Sequence, residues 1–436
     1  MRTSLFVGLF LTITAMAVAT QSTPQSSPAA QSHDLQNTAE AVAKYFRADP
    51  SGIDQLFAPE FLVQVPAARL ERVMRQLFSQ YGGCTGVKLE KQVSPTGAHF
   101  QFTFEKGFTV PVSLEINDNA AHTITGFVLG APVSSSETLS SVIDKMKALP
   151  GQVSFLAQRL DASGPVALAE WQPAQELGIG SAFKLYILGA LAQQISAGRR
   201  HWNDVIPLET QSLPSGILQK WPLGTPLTVQ SLASLMISIS DNTAADALLK
   251  AVGREQVEAI LPVMGHSQPA LDQPFLATMD MFQLKWGIPA EQLQQYLADD
   301  TAARRAFLQT MKPPASTAAL IAAVSTTTPK MIDNVEWFAS AIDLCHAMAW
   351  FRADDTARNT ARQVLAINPG LALSSTRWAY IGFKGGSEPG VISLNLLLRS
   401  QSGQWYVVSG VWNNPKAAVS ETEWVSLVSR AIDLLQ

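Results

Sequence analysis

From Ala182 to Ile195 the chain is apolar on almost every face. A helix without a polar side cannot rest on a surface and has to be enclosed by its own domain. Whatever opens that helix therefore sits at the rim of a buried interior. The opening residues are Ser181-Ala182-Phe183-Lys184, and Lys184 falls one helical turn from Ser181, on the same face. The chain is long enough to wrap such a helix. Its 436 residues, 47% hydrophobic and 15% charged, suffice for two or three domains.

A serine hydroxyl attacks carbonyls poorly until a neighbour takes its proton. Burial disfavours the charged ammonium, so a lysine enclosed beside Ser181 is available as the neutral amine. Two further motifs follow, Ser240-Asp241-Asn242 and Lys384-Gly385-Gly386-Ser387. Each motif alone has an ordinary reading. S-x-x-K is a surface serine starting a helix, S-D-N is a turn or helix cap, and K-G-G-S is a glycine turn in a hairpin. All three in this order, each once, resemble the S-x-x-K, S-D-N and K-T-G signature of serine enzymes that recognise penicillin.

The motifs divide the chemistry. Ser181 is the expected nucleophile, Lys184 its base, and Ser240 a relay from Lys184 to the leaving group. Asn242 is expected to hold the substrate amide or steady Lys184, while Asp241 is structural. Lys384, expected at the end of the Trp378–Phe383 strand, would bind a substrate carboxylate. Gly385 and Gly386 would clear space for substrate along the strand edge. The backbone N–H groups of Ser181 and Ser387 would make the oxyanion hole.

The rest of the chain reads as follows. Arg2, the apolar run Leu5 to Val18 and the small residues of Ala17-Val18-Ala19 form a secretory signal over 1–19, with cleavage expected after Ala19. The alternative is an uncleaved anchor, for which the run is short. With no cysteine directly after it, a lipid anchor is not expected. Residues 20–34 are a linker rich in Ser, Gln and Pro. Helices are expected at Thr38–Phe46 and Ala67–Tyr81, then four strands within 87–129. Among these, Phe100, Phe102 and Phe104 alternate with polar neighbours. Helices before an antiparallel sheet suggest an α+β cone over 35–132. A second domain over 137–436 reads as a helix, a hairpin, a helical lobe, three strands and a closing helix at Glu421–Leu435. Its first and last strands would meet in one sheet.

The net charge is −4, without a basic cluster, so a nucleic-acid partner is not expected. No cofactor is expected. The six histidines stand in no metal-ligand spacing, so no metal site is expected. Cys84 and Cys345 are read as separate thiols.

These motifs, with Gly216-Ile217-Leu218-Gln219, Gly224 to Val229, Ser240 to Leu248 and Gly253-Arg254-Glu255, resemble the serine β-lactamase and penicillin-binding-protein superfamily. Within it the class A β-lactamases are nearest. The resemblance covers about two thirds of the chain. The small domain resembles the NTF2-like, ketosteroid-isomerase-like fold, and the pairing resembles two-domain β-lactamase-like proteins of clavulanic-acid gene clusters and mycobacterial lipoproteins. The fold so implied is an α+β NTF2-like cone followed by an α/β β-lactamase/transpeptidase-like domain. The implied function is that of a periplasmic or secreted serine hydrolase acting on a small-molecule β-lactam, ester or peptidoglycan-like peptide. An esterase, a D-alanyl-D-alanine peptidase and a penicillin-binding sensor are the alternatives. Two departures from class A stand out. No Glu-x-x-Leu-Asn pentapeptide follows motif two, Glu291-Gln292-Leu293-Gln294 being the nearest fragment. No arginine flanks Leu394 on the strand after motif three.

Overall fold

The computed structural model describes residues 28–435, apart from 119–121, 131, 135, 213, 312–327, 372 and 375. The signal segment and most of the linker lie outside the described residues. The chain divides into two compact units between Thr138 and Leu139.

In the first unit α1 (Pro28–Ala43), α2 (Pro59–Gln64) and α3 (Ala67–Tyr81) precede β1 (Cys84–Ser94), β2 (Gly97–Phe104), β3 (Phe108–Ile116) and β4 (Ile124–Leu129). These four strands pair antiparallel in sequence order, and the short β5 (Val133–Ser134) pairs with β3. The period-2 pattern explains the layer. Phe100, Phe102 and Phe104 face Val110, Val112 and Leu114 in one core with Leu35, Ala39, Leu70 and Met74 from the helices.

The second unit opens with α4 (Leu139–Lys147), β6 (Gln152–Asp161), β7 (Gly164–Trp171) and β8 (Leu177–Gly178). A 3₁₀ turn over Gly180–Phe183 leads into α5 (Lys184–Ser196). The strands β9 (Val205–Pro207) and β10 (Pro226–Thr228) pair with each other. Helices α6 (Val229–Ser238), α7 (Asn242–Val252), α8 (Arg254–Val263), α9 (Thr278–Phe282), α10 (Ala290–Ala298) and α11 (Thr301–Thr310) follow. Then come β11 (Phe338–Ala339), α12 (Ala341–Trp350), α13 (Thr356–Leu365), β12 (Trp378–Glu388), β13 (Val391–Ser400), β14 (Trp405–Asn413) and α14 (Glu421–Asp433).

The main sheet runs β12-β13-β14-β6-β7, antiparallel throughout, so β6 meets β14, the last strand of the chain. Both faces are covered, which is why β13 is buried along nearly its whole length. On one face Val142 and Met146 of α4 and Trp424, Val428 and Ile432 of α14 pack on Phe155, Leu396 and Val408. On the other, Leu397, Val407 and Val411 join the larger core around α5, where Leu185, Leu188 and Leu191 are fully buried. The apolar helix is central, as its composition requires.

Two sequence expectations need correction. Ser181 does not begin the α-helix; it lies in the 3₁₀ turn before it, because Gly180 takes a positive φ of 50° and turns the chain into the helix. Lys384 does not end its strand either. β12 continues through the motif to Glu388, with Gly385 opposite Leu394 and Gly386 opposite Ser393, and the reversal falls at Gly390.

Candidate active site

Three elements bring the motifs together. The 3₁₀ turn carries Ser181, half-buried, and the first residue of α5 is Lys184, fully buried. Between α6 and α7 the chain turns at Ser240, whose φ is +56°. That turn is anchored from within. Asp241 caps α7 by accepting from Ala244 N at 2.9 Å, and its other oxygen accepts from Ile217 N at 2.7 Å and Leu218 N at 2.9 Å. Asp241 is thus a fastening residue, as expected. Edge strand β12 supplies the third motif.

Lys184 Nζ is the hub. It lies 3.1 Å from Ser181 Oγ, 3.0 Å from Ser240 Oγ, 2.7 Å from the Ser240 carbonyl oxygen and 2.7 Å from Asn242 Oδ1. These acceptors are all uncharged. Burial, and then the nearby Lys384 charge, hold its pKa well below the usual lysine range. Lys384 Nζ donates to Ser240 Oγ at 3.1 Å and to the Gly385 carbonyl at 2.5 Å. Burial pushes its pKa down to about 7. Both lysines therefore reach one hydroxyl, and burial disfavours the charge on each.

Gly386 has a sharper reason than room for substrate. A Cβ there would run into the Ile179 carbonyl oxygen and come within 2.5 Å of Ser181 N and 2.7 Å of Ala182 N. From the other side, a Cβ on Gly180 would stand 3.1 Å from Ser387 N. The strand lies against the Ser181 turn, backbone to backbone, and only glycine permits it. This approach brings the Ser181 and Ser387 segments side by side. Ser387 itself is exposed.

Several groups escaped sequence reasoning. Asn395 Nδ2 donates to the Lys384 carbonyl at 3.0 Å, and its Oδ1 accepts from Ser409 Oγ at 2.7 Å, bracing the strand. Glu336, fully buried, accepts from Gly180 N at 3.2 Å and Trp337 N at 3.1 Å. Trp337 stacks on Phe183, with ring centroids 3.7 Å apart. Glu291 is exposed in the first turn of α10.

A further cluster of titratable side chains lies outside the motifs. Glu176, His266 and Asp343 bring their ligand atoms within 4.8 Å of one another. Protein bonds already use them. His266 Nδ1 accepts from Gln268 N, Nε2 donates to the Phe338 carbonyl at 2.8 Å, and Asp343 takes the amides of Ser267 and Ser340. The cluster fastens the 266–268 loop to the start of α12. A cavity of about 880 Å³, lined in part by Glu176, Phe338 and Lys416, includes none of the motif residues. Cys84 and Cys345 are free thiols. Among the described residues no helix is long and apolar enough to cross a membrane.

The second unit thus sets one antiparallel sheet between layers of helices. Residues 135–330 match the family model Beta-lactamase2, the Beta-lactamase enzyme family. That match takes in motifs one and two and ends before motif three. Among solved structures the chain is similar to the beta-lactamase from Sphaerobacter thermophilus, at 18% identity, over 68% of this chain and 94% of that one, with a TM-score of 0.49. It is also similar to the beta-lactamase from Francisella tularensis, at 14% identity over 67% and 96% with a TM-score of 0.47. For the protein titled PBP-A the values are 14%, 67%, 93% and 0.45.

Proposed function

We propose that this chain is an exported serine hydrolase, periplasmic or secreted, that is acylated at Ser181 and hydrolyses a β-lactam or a related amide or ester. The observation that carries the reading is the 3.1 Å contact between Lys184 Nζ and Ser181 Oγ, made by a lysine whose burial favours the neutral amine. Export rests on the N-terminal residues alone. The helices-then-meander order of the first unit supports an NTF2-like fold there.

Lys184 takes the Ser181 proton as Oγ attacks the carbonyl carbon. The tetrahedral oxyanion accepts from the Ser181 and Ser387 amides, which need no reorganisation because the glycine contacts hold the two segments together. Lys184 returns the proton through Ser240 to the leaving nitrogen or oxygen. The carbon–heteroatom bond breaks and the acyl group stays on Ser181. Asn242 steadies Lys184 and is available to the substrate amide. Lys384, beside Ser240, takes the substrate carboxylate. Water then releases the acid and restores Ser181.

One observation favours a second reading, a penicillin-binding sensor that acylates and stops. Lys184 has only uncharged acceptors, and Glu291 points to no role in deacylation from its exposed position. Intact-mass measurement after incubation with a penicillin tests both. A mass increase equal to the drug, absent in Ser181→Ala, supports acylation, and its decay with time separates hydrolase from sensor. No adduct and no turnover of a β-lactam or ester overturns the proposal.

A further inference from the structure

Behind the nucleophile turn lies a buried group of charges that the motifs do not include. Lys285 sits in the single π-helical turn Gln283–Gly287 after α9, with its side chain fully buried. Its Nζ lies 3.3 Å from Glu336 Oε1 and 2.5 Å from Glu388 Oε1. Glu336 is fully buried, and the Glu388 side chain is 11% exposed. Each carboxylate adjoins one edge of the oxyanion hole. Glu336 Oε2 accepts from the amide of Gly180, the residue before Ser181, while Glu388 is the residue after Ser387.

We propose that Lys285, Glu336 and Glu388 form a positioning network that holds the two amide-bearing edges of the oxyanion hole at their working separation. The inference rests on the acyl-transfer reading above. Three facts argue for it. Buried charges are expensive, and a fold keeps them where each is paired and hydrogen-bonded. Here the pairing converges from three separate elements, the turn after α9, the segment before β11, and the end of β12. Gly180 holds a left-handed φ with its amide tied to a carboxylate, so the turn that aims Ser181 is held from behind. Finally, burial and then the Glu336 charge push Glu388 up to about 8. Near neutrality Glu388 therefore holds its proton and adds no negative charge beside the site of the developing oxyanion.

None of the three residues touches substrate in this scheme; they act through Gly180 and Ser387. The readout is therefore a split between binding and chemistry. Stopped-flow acylation of the full chain by a chromogenic cephalosporin gives the dissociation constant of the first complex and the acylation rate constant. In Glu336→Gln and Lys285→Met the rate constant falls by about 10–10²-fold, short of the 10²–10³ lost when a hole donor is removed outright. The dissociation constant stays within about threefold, because the Lys384 contact is intact. Lys285→Arg, which keeps the cation, retains most of the rate. If Lys285→Met does not fold, Glu336→Gln and Glu388→Gln carry the test. Unchanged acylation rates in folded variants, or a loss confined to the dissociation constant, overturn the network while leaving Ser181 acylation standing. No acylation of the unaltered chain overturns the functional reading and takes the network with it.

Discussion

Lys184 and Lys384 converge on a single hydroxyl, with their Nζ atoms 3.0 and 3.1 Å from Ser240 Oγ. Two ammonium groups so placed disfavour each other's charge, and Lys384 is the main charge depressing Lys184. The arrangement suits a proton relay. One lysine can be the neutral base, the other the cation that faces a carboxylate, with Ser240 between them.

Their opposite tasks predict a bell-shaped pH profile. Acylation needs Lys184 neutral, so its rate constant rises as pH passes upward through the lowered Lys184 pKa. Carboxylate binding needs Lys384 charged, so affinity of the free protein for a penicillin falls above the Lys384 value of about 7. With a substrate ester that lacks the carboxylate, the falling limb disappears. A falling limb that persists with that ester would remove Lys384 from carboxylate binding.

The same groups govern stability. Lys384 has a folded pKa of about 7 against an ordinary 10.5. Between those values the unfolded chain holds a proton that the folded chain has released, so stability rises with pH across that window. Below pH 7 the full cost of the buried charge is present. Lys384→Met should flatten the rise in urea midpoint between pH 7 and 10. An unaltered slope in that variant would contradict burial of this group as its cause.

Gly386→Ala should cost at least about 10²-fold in acylation, because the added carbon meets backbone at Ile179, Ser181 and Ala182 and must push the nucleophile turn away. Gly385→Ala is milder. Its nearest neighbour is the rim of the Phe383 ring at 2.8 Å, a side chain that can turn. Labelling rates with a fluorescent penicillin compare the two. Equal losses would mean that the close approach of β12 is not what positions Ser181.

The residues proposed to do the chemistry were legible because chemistry dictates their identity. A hydroxyl one turn before a lysine, ahead of a helix with no polar face, admits few alternatives, and the central burial of α5 followed from the same pattern. The alternating Phe100, Phe102 and Phe104 marked β2 for an equally local reason. What escaped was set by tertiary contact. Glu336 and Glu388 look like ordinary solvent-facing acids in sequence, and nothing near Lys285 in the chain announces its partners. Gly386 was read as space for substrate, whereas the crowding comes from the protein's own turn. The 3₁₀ geometry at Ser181 and the left-handed φ of Ser240 likewise depend on neighbours that Asp241 and β12 bring from far along the chain.

Asp241 offers a stability test separate from catalysis. It is fully buried and accepts from the amides of Ala244, Ile217 and Leu218. Asp241→Ala removes a helix cap worth about 0.5–2 kcal/mol, orphans the buried Leu218 amide at about 1–3 kcal/mol, and frees the partly exposed Ile217 amide at less. A loss of about 3 kcal/mol in urea unfolding is expected, with Asp241→Asn milder because its carbonyl oxygen still caps Ala244. A loss below about 0.5 kcal/mol would show that the loop at Gly216–Leu218 is held by other contacts.

Deacylation is the step with the least visible support. General-base assistance is worth about 10²–10⁴-fold, and Lys184 is the base nearest to Ser181, through the 3.1 Å contact of its Nζ. If it serves both half-reactions, the acyl-enzyme accumulates and its hydrolysis speeds with rising pH as Lys184 loses its proton. A burst of one equivalent followed by slow turnover is then expected with a good cephalosporin. Glu291→Gln should leave both phases unchanged, since Glu291 is exposed at the start of α10. Lys184→Ala should abolish the burst as well as the slow phase. Fast turnover without an accumulating adduct, lost in Glu291→Gln, would instead bring that carboxylate to the acyl group in solution and make it the base for water.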